Sequence, residues 1–171
     1  MKPRFFLVLP LVLFIGFVGV ALVGLQQDKE GRSANPLVGK AMPSLNLPPL
    51  DKDFSPDRFK GDVFLINYFA SWCVPCRAEH EFLQTLSLPV LGVAYKDRPE
   101  AARRFLDKEG NPYQGVALDR DGRSGIEWGI TGVPETFLIG RAGVILAHHA
   151  GPLNETVWER VFAPQLGTGE K

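Results

Sequence analysis

The chain has 171 residues, enough for one domain and an appendage, and at 45% apolar and 22% charged its composition is globular rather than disordered. Its 19 Lys and Arg balance 19 Asp and Glu; with Lys2 and Arg4 set aside, 17 basic face 19 acidic residues, a formal −2, and no basic stripe marks a nucleic-acid surface. The two cysteines share one Cys-x-x-Cys, which excludes a disulfide-stapled scaffold and leaves the fold to its hydrophobic core.

Met1-Lys2-Pro3-Arg4 is positive, and residues 5–25 follow without a charge, about the length that spans a bilayer as a helix. The basic residues place 1–4 in the cytoplasm and the chain beyond 25 outside it. A cleaved signal peptide is the rival reading. Its apolar run is usually about 7–15 residues and ends in an Ala-x-Ala-like site, whereas this run is longer and Ala21-Leu22-Val23 is a poor site. An uncleaved anchor is therefore expected, with a polar linker over 26–36, a folded domain over 37–167 and a fraying tail over 168–171.

Within the domain, prolines 43, 48 and 49 predict irregular chain with a short strand near Ser44-Leu45-Asn46-Leu47, and Phe54 to Gly61 reads as a loop or helical turn. Val63 to Ala70 is a continuous apolar run rich in β formers, as in a strand buried on both faces. Arg77 to Leu86 reads as a helix, Pro89 to Tyr95 as a strand, and Pro99 opens a helix closed by Gly110-Asn111-Pro112. Tyr113 to Leu118 is a short strand and Ser124 to Gly129 a helical turn. Pro134 to Ile139 and Val144 to His149 form a hairpin about Arg141-Ala142-Gly143. Asn154 can N-cap a last helix that buries Val157, Trp158, Val161 and Phe162, with Leu153 and Trp158 as a staple. The result is an α/β fold with a mixed central sheet flanked by helices, in thioredoxin-like order.

Trp72-Cys73-Val74-Pro75-Cys76 stands where the first strand passes into the first helix. The nucleophile of disulfide chemistry is the thiolate, and the free N–H groups and positive end of a helix favour it. The second cysteine lies about one turn on, so each thiol can attack a disulfide made by the other. A purely stabilising disulfide is the bland alternative, but so short a loop restricts the unfolded chain little. Cys73 is expected as the more exposed, attacking thiol and Cys76 as the resolving one. Glu79, three residues beyond Cys76, could exchange the proton. Trp72 borders Cys73, by packing alone or as part of the substrate surface. Pro134 is placed to face the cysteines, and Glu135 beside it to touch substrate or merely solvent. His80 completes Cys73-x-x-Cys76-x-x-x-His80, only three candidate ligands where zinc takes four groups. His148 and His149, neighbours on a strand, point to opposite faces and read as surface or edge residues.

Ala70 to His80 resembles the active-site segment of the membrane-anchored thioredoxins of cytochrome c maturation, the CcmG/DsbE family. Gly129-Ile130-Thr131-Gly132-Val133-Pro134-Glu135-Thr136-Phe137 resembles that family's Gly-Val-x-Gly-x-Pro-Glu-Thr-Phe segment. Tyr95-Lys96-Asp97 and Gly110-Asn111-Pro112-Tyr113 add weaker matches, and the likeness covers about Pro36 to Phe162. Departures are Ile130 for a usual Val, Gly140 for a frequent Asp, Phe69 for a frequent Trp and Val74 for a common Pro. The Val-Pro dipeptide between the cysteines leaves the redox poise open.

The resemblance implies a cis bond before Pro134, a Val133 backbone that pairs with extended substrate, and acidic groups Glu127 and Asp97 around the site. Ordinary trans geometry and solvated surface charge are the alternatives. It further implies a periplasmic domain anchored in the bacterial inner membrane and a substrate carrying the Cys-x-x-Cys-His disulfide of apocytochrome c, or a mixed disulfide with a maturation protein. The implied electron donor is a membrane protein of the DsbD/CcdA type. No organic cofactor is called for. The readings left open are a general extracytoplasmic disulfide oxidase or reductase, a copper metallochaperone of related fold, and a protein that holds apocytochrome without exchange.

Overall fold

The computed structural model describes residues 9–10, 12–20, 35–50 and 54–167. They fall into two units, one within 1–34 and one from Asn35 onward. In the first, residues 9–10 and 12–20 are helical (α1), with Leu13, Phe14, Phe17 and Val20 exposed. No helix among the described residues is long and apolar enough to cross a membrane. The expected span over 5–25 lies partly outside those residues; the expected cytoplasmic segment 1–4, most of the expected linker and the expected tail lie wholly outside. Asn35, at the end of the expected linker, already belongs to the second unit: it is buried, and its Nδ2 donates to the Trp128 carbonyl at 2.8 Å.

In that second unit the chain forms β1 (Phe64–Phe69), α2 (Val74–Thr85), β2 (Val90–Tyr95), α3 (Pro99–Glu109), β3 (Gly115–Asp119), α4 (Arg123–Glu127), β4 (Glu135–Ile139) and β5 (Ile145–Ala150). A C-terminal helix, α5, follows as Glu155–Val157, a π-type segment Trp158–Phe162 and Ala163–Leu166. The expected elements are all present to within a few residues, save the strand near Ser44-Leu45-Asn46-Leu47. There only isolated bridges form, Ala41 with Val144 and Pro49 with Ala117. Prolines 43, 48 and 49 withhold the N–H groups that a ladder needs. Asn154 caps α5 as expected, its side chain accepting from Val157 N at 3.0 Å.

The sheet runs β3-β2-β1-β4-β5. β1, β2 and β3 are parallel, β4 and β5 antiparallel to their neighbours. All six residues of β1 are buried, which explains its unbroken apolar run. Alternation then assigns the two faces. Leu65, Phe69, Ala94 and Leu138 pack with α2, α3 and α5; Ile66, Tyr68, Leu91, Phe137 and Ile139 pack with Leu45, Phe59 and Trp128 on the other side. Within the first face, Gly92 leaves room for the Phe69–Tyr113 stack, whose centroids are 4.8 Å apart. A Cβ there would meet Tyr113 Cγ at 2.9 Å and Phe69 Cε1 at 3.0 Å. Gly92→Ala is therefore expected to destabilise the domain by about 1–3 kcal/mol, measured as a lower urea midpoint at unchanged slope.

Candidate active site

The site is built at the C-terminal end of β1. There the chain turns through Ser71 and Trp72, and Cys73 becomes the N-cap of α2, its Sγ accepting from Cys76 N at 3.1 Å. Cys73 and Cys76 form a disulfide. A reduced Cys73 at this place meets the free N–H groups and the positive end of a twelve-residue helix, both of which favour thiolate. Cys73 is the more exposed of the pair as expected, but by a narrow margin: it is 3% exposed and Cys76 1%. The Val133 carbonyl oxygen lies 3.5 Å from Cys73 Sγ. The Val133–Pro134 bond is cis, as the resemblance implied. Trp72 is 59% exposed beside the buried sulfur, and its indole N–H donates to the Lys96 carbonyl at 3.3 Å.

Glu79 is wholly buried, one turn beyond Cys76 on the inner face of α2. Asn67 Nδ2 donates to its Oε1 at 2.9 Å, and Leu153 N donates to Oε2 at 2.8 Å. Asn67 also donates to Thr136 Oγ1 at 3.0 Å and accepts from the Tyr113 hydroxyl at 2.8 Å. Burial disfavours the charge, the two donors partly restore it, and the Glu79 carboxyl is pushed up to about 7. Burial above all keeps Tyr113 a phenol, far above its ordinary pKa. Asn67, Tyr113 and Thr136 were not singled out from the sequence. The available signal was Asn67, a lone amide in the apolar run from Val63 to Ala70, because a buried amide needs partners.

The other expected acids stand elsewhere. Asp97 is buried and takes Ser71 N at 2.6 Å, Ser71 Oγ at 2.9 Å and Arg98 N at 2.8 Å, so it pins the turn that carries Trp72 and Cys73. Glu127 is exposed and lines a cleft of about 440 Å³ with Ser44, Asn46, Arg120 and Arg123, whose lining includes neither cysteine nor Pro134. Glu135 does not face solvent. It is 2% exposed, because alternation along β4 turns it onto the face opposite the cysteine helix. Its Oε1 accepts from Thr131 N, Thr131 Oγ1 and Gly132 N at 2.6, 2.8 and 3.1 Å. Its Oε2 lies 2.6 Å from His148 Nε2. Burial alone would raise its pKa, but the His148 and Thr131 hydrogen bonds outweigh that and hold it below the usual range. His148 lies on the edge strand β5, one of the two places expected, but its side chain is largely covered, at 8% exposed. His80 turns away from the cysteines into the aromatic wall of Phe105 and Tyr113, its Nε2 bonded to the Gly110 carbonyl at 2.5 Å.

The Glu79 titration has a sign that can be checked. Its folded pKa lies above the ordinary 4.5, so the folded state holds the extra proton between about 4.5 and 7 and loses stability as pH rises through that window. The oxidised protein is expected to fall behind a Glu79→Gln variant by on the order of 3 kcal/mol across that window, read from urea midpoints in a pH series. A stability difference that stays flat with pH would contradict it.

Against known proteins, a family model described as Redoxin matches residues 37–163. The chain is 39% identical over 176 residues to the thiol:disulfide interchange protein HelX of Rhodobacter capsulatus, covering 99% of each. It is 38% identical over 172 residues to the thiol:disulfide interchange protein DsbE of Escherichia coli, covering 92% of this chain and 91% of that one. Among solved structures, the thioredoxin domain of a thiol-disulfide oxidoreductase from Bacteroides vulgatus superposes with a TM-score of 0.58 over 72% of this chain and 97% of that one, at 23% identity. That likeness shows the thioredoxin-like fold. With a Cys-x-x-Cys disulfide at a helix N-cap, a Redoxin domain and full-length relatives of this kind, the chain belongs to the DsbE/HelX family of thiol:disulfide interchange proteins.

Proposed function

We propose that the protein is a reductase of the Cys-x-x-Cys-His disulfide of apocytochrome c, or of its mixed disulfide with a maturation protein, working before haem attachment. The observation that carries this reading is the position of Cys73 at the α2 N-cap, 3.5 Å from the Val133 carbonyl. An extended peptide laid along that carbonyl brings its own sulfur to Cys73. Cys73 thiolate attacks one substrate sulfur, the substrate disulfide breaks, and a substrate thiolate leaves and takes up a proton. Cys76 gives its proton to Glu79, and the new thiolate attacks Cys73 Sγ. The second substrate thiolate departs, and two electrons have passed to substrate. Each Glu79 oxygen keeps a lone pair beyond its one hydrogen bond, and a carboxyl near 7 accepts and releases a proton at neutral pH.

Trp72 and the Val133–Pro134 edge form the substrate surface in this reading, while Glu135 supports it from beneath. Glu127, in its own cleft, is given no part in proton transfer. The charge-free run over 5–25 and the exposed apolar residues of α1 support a single-pass anchor in the bacterial inner membrane, with the catalytic domain in the periplasm. Re-reduction then requires a membrane donor of the DsbD/CcdA type. The test is trapping. The full chain, reduced and mixed with a synthetic peptide carrying a Cys-x-x-Cys-His disulfide, is expected to form a stable covalent adduct as Cys76→Ser and none as Cys73→Ser, read by mass spectrometry. Retention of peptide by Cys73→Ser with no adduct on Cys76→Ser would replace exchange with simple binding.

A further inference from the structure

The loop before Pro134 owes its shape to one carboxylate. Ile130 and Val133 pack against the core on either side, but Thr131 is exposed and a Cβ built on Gly132 would have nothing within 4 Å, so side-chain packing does not fix these two residues. What does fix them is Glu135, whose Oε1 takes two backbone N–H groups and a hydroxyl from Thr131 and Gly132. Glu135 is itself held from β5. His148 lies opposite Phe137 in the β4–β5 register, packs its ring at 4.5 Å from the Phe137 ring and presents Nε2 to Glu135 Oε2. Because the carboxylate stays ionised, the imidazole N–H is the donor. One residue beyond Gly132, the Val133 carbonyl faces Cys73 Sγ.

We infer that His148 is a positioning residue for disulfide exchange: it anchors Glu135, and through Glu135 the Thr131 and Gly132 backbone, so that Val133 offers a fixed edge to extended substrate at Cys73. The inference rests on the reading of Val133 as the substrate-facing backbone. Without the His148 donor, one Glu135 oxygen is left buried and unpaired and the carboxylate can swing, carrying the loop with it. The cost should fall on substrates that use the edge, and spare those too small to reach it.

The experiment uses the reduced full chain, stopped-flow tryptophan fluorescence and two oxidants: a synthetic peptide with an intramolecular Cys-x-x-Cys-His disulfide, and bis(2-hydroxyethyl) disulfide. His148→Phe keeps the ring against Phe137 and removes the donor. It is expected to raise the half-saturating peptide concentration roughly tenfold, the scale of one lost charge-assisted hydrogen bond, with the limiting rate and the small-disulfide rate little changed. His148→Gln, whose amide N–H can reach Glu135, should recover most of the loss. An unchanged half-saturation in His148→Phe overturns the inference. So does equal impairment of both variants, or an equal loss on both oxidants, each of which marks a merely structural role. If the unaltered protein reduces the small disulfide yet never saturates with peptide, the substrate reading fails first and takes this inference with it.

Discussion

A carboxyl group without solvent is the constraint on which the redox end of the molecule depends. Burying an ionised carboxylate costs several kcal/mol unless donors replace the lost water. Glu79 receives two, from Asn67 and the Leu153 backbone, and they offset only part of the cost, which leaves its proton near balance at neutral pH. The arrangement ties distant parts of the chain together. Asn67 comes from the middle of β1, Leu153 from the turn before α5, Tyr113 from the approach to β3 and Thr136 from β4. The Tyr113 hydroxyl occupies the Asn67 oxygen, which directs the Asn67 amide N–H groups toward Glu79 and Thr136. The carboxyl is thus held by elements that exist only in the complete fold.

Two consecutive residues of β4 divide the support of the site between the faces of the sheet. Thr136 reaches the Asn67–Glu79 cluster on the cysteine side, while Glu135 turns to the other face and gathers the loop before Pro134. Asp97 does the matching work for the turn after β1, where three donors converge on its carboxylate and the Lys96 carbonyl takes the Trp72 indole. Three buried acids thus hold three places that their charge alone does not reveal: Glu79 one helical turn beyond Cys76, Asp97 at the turn that carries Cys73, Glu135 at the loop before Pro134.

What the sequence made legible was local. The apolar run of β1, the Cys-x-x-Cys at a helix start, the Asn154 cap and the Pro134 segment each depend on neighbouring residues, and each is where it was expected. What stayed hidden depended on what covers a face. Alternation sent His148 and His149 to opposite sides of β5, yet the His148 side chain is largely covered because Phe137 and Glu135 meet it across the β4–β5 pair. Glu135, beside Pro134, left substrate contact and solvated charge both open; alternation along β4 turns it away from solvent, where His148 meets it. Cys73 is the more exposed of the two cysteines as expected, but Val133, sixty residues on, lies against its sulfur and leaves it nearly covered.

In the proposed reaction this assembly gives electrons to a disulfide rather than receiving them. The most direct test is the reduction potential of the Cys73–Cys76 pair, measured on the full chain against a glutathione series and read by tryptophan fluorescence. A value between about −200 and −270 mV, the glutaredoxin-to-thioredoxin span, is what a dedicated reductase requires. A value near about −120 mV, at the strong-oxidant end, would reverse the direction of electron flow and contradict the account.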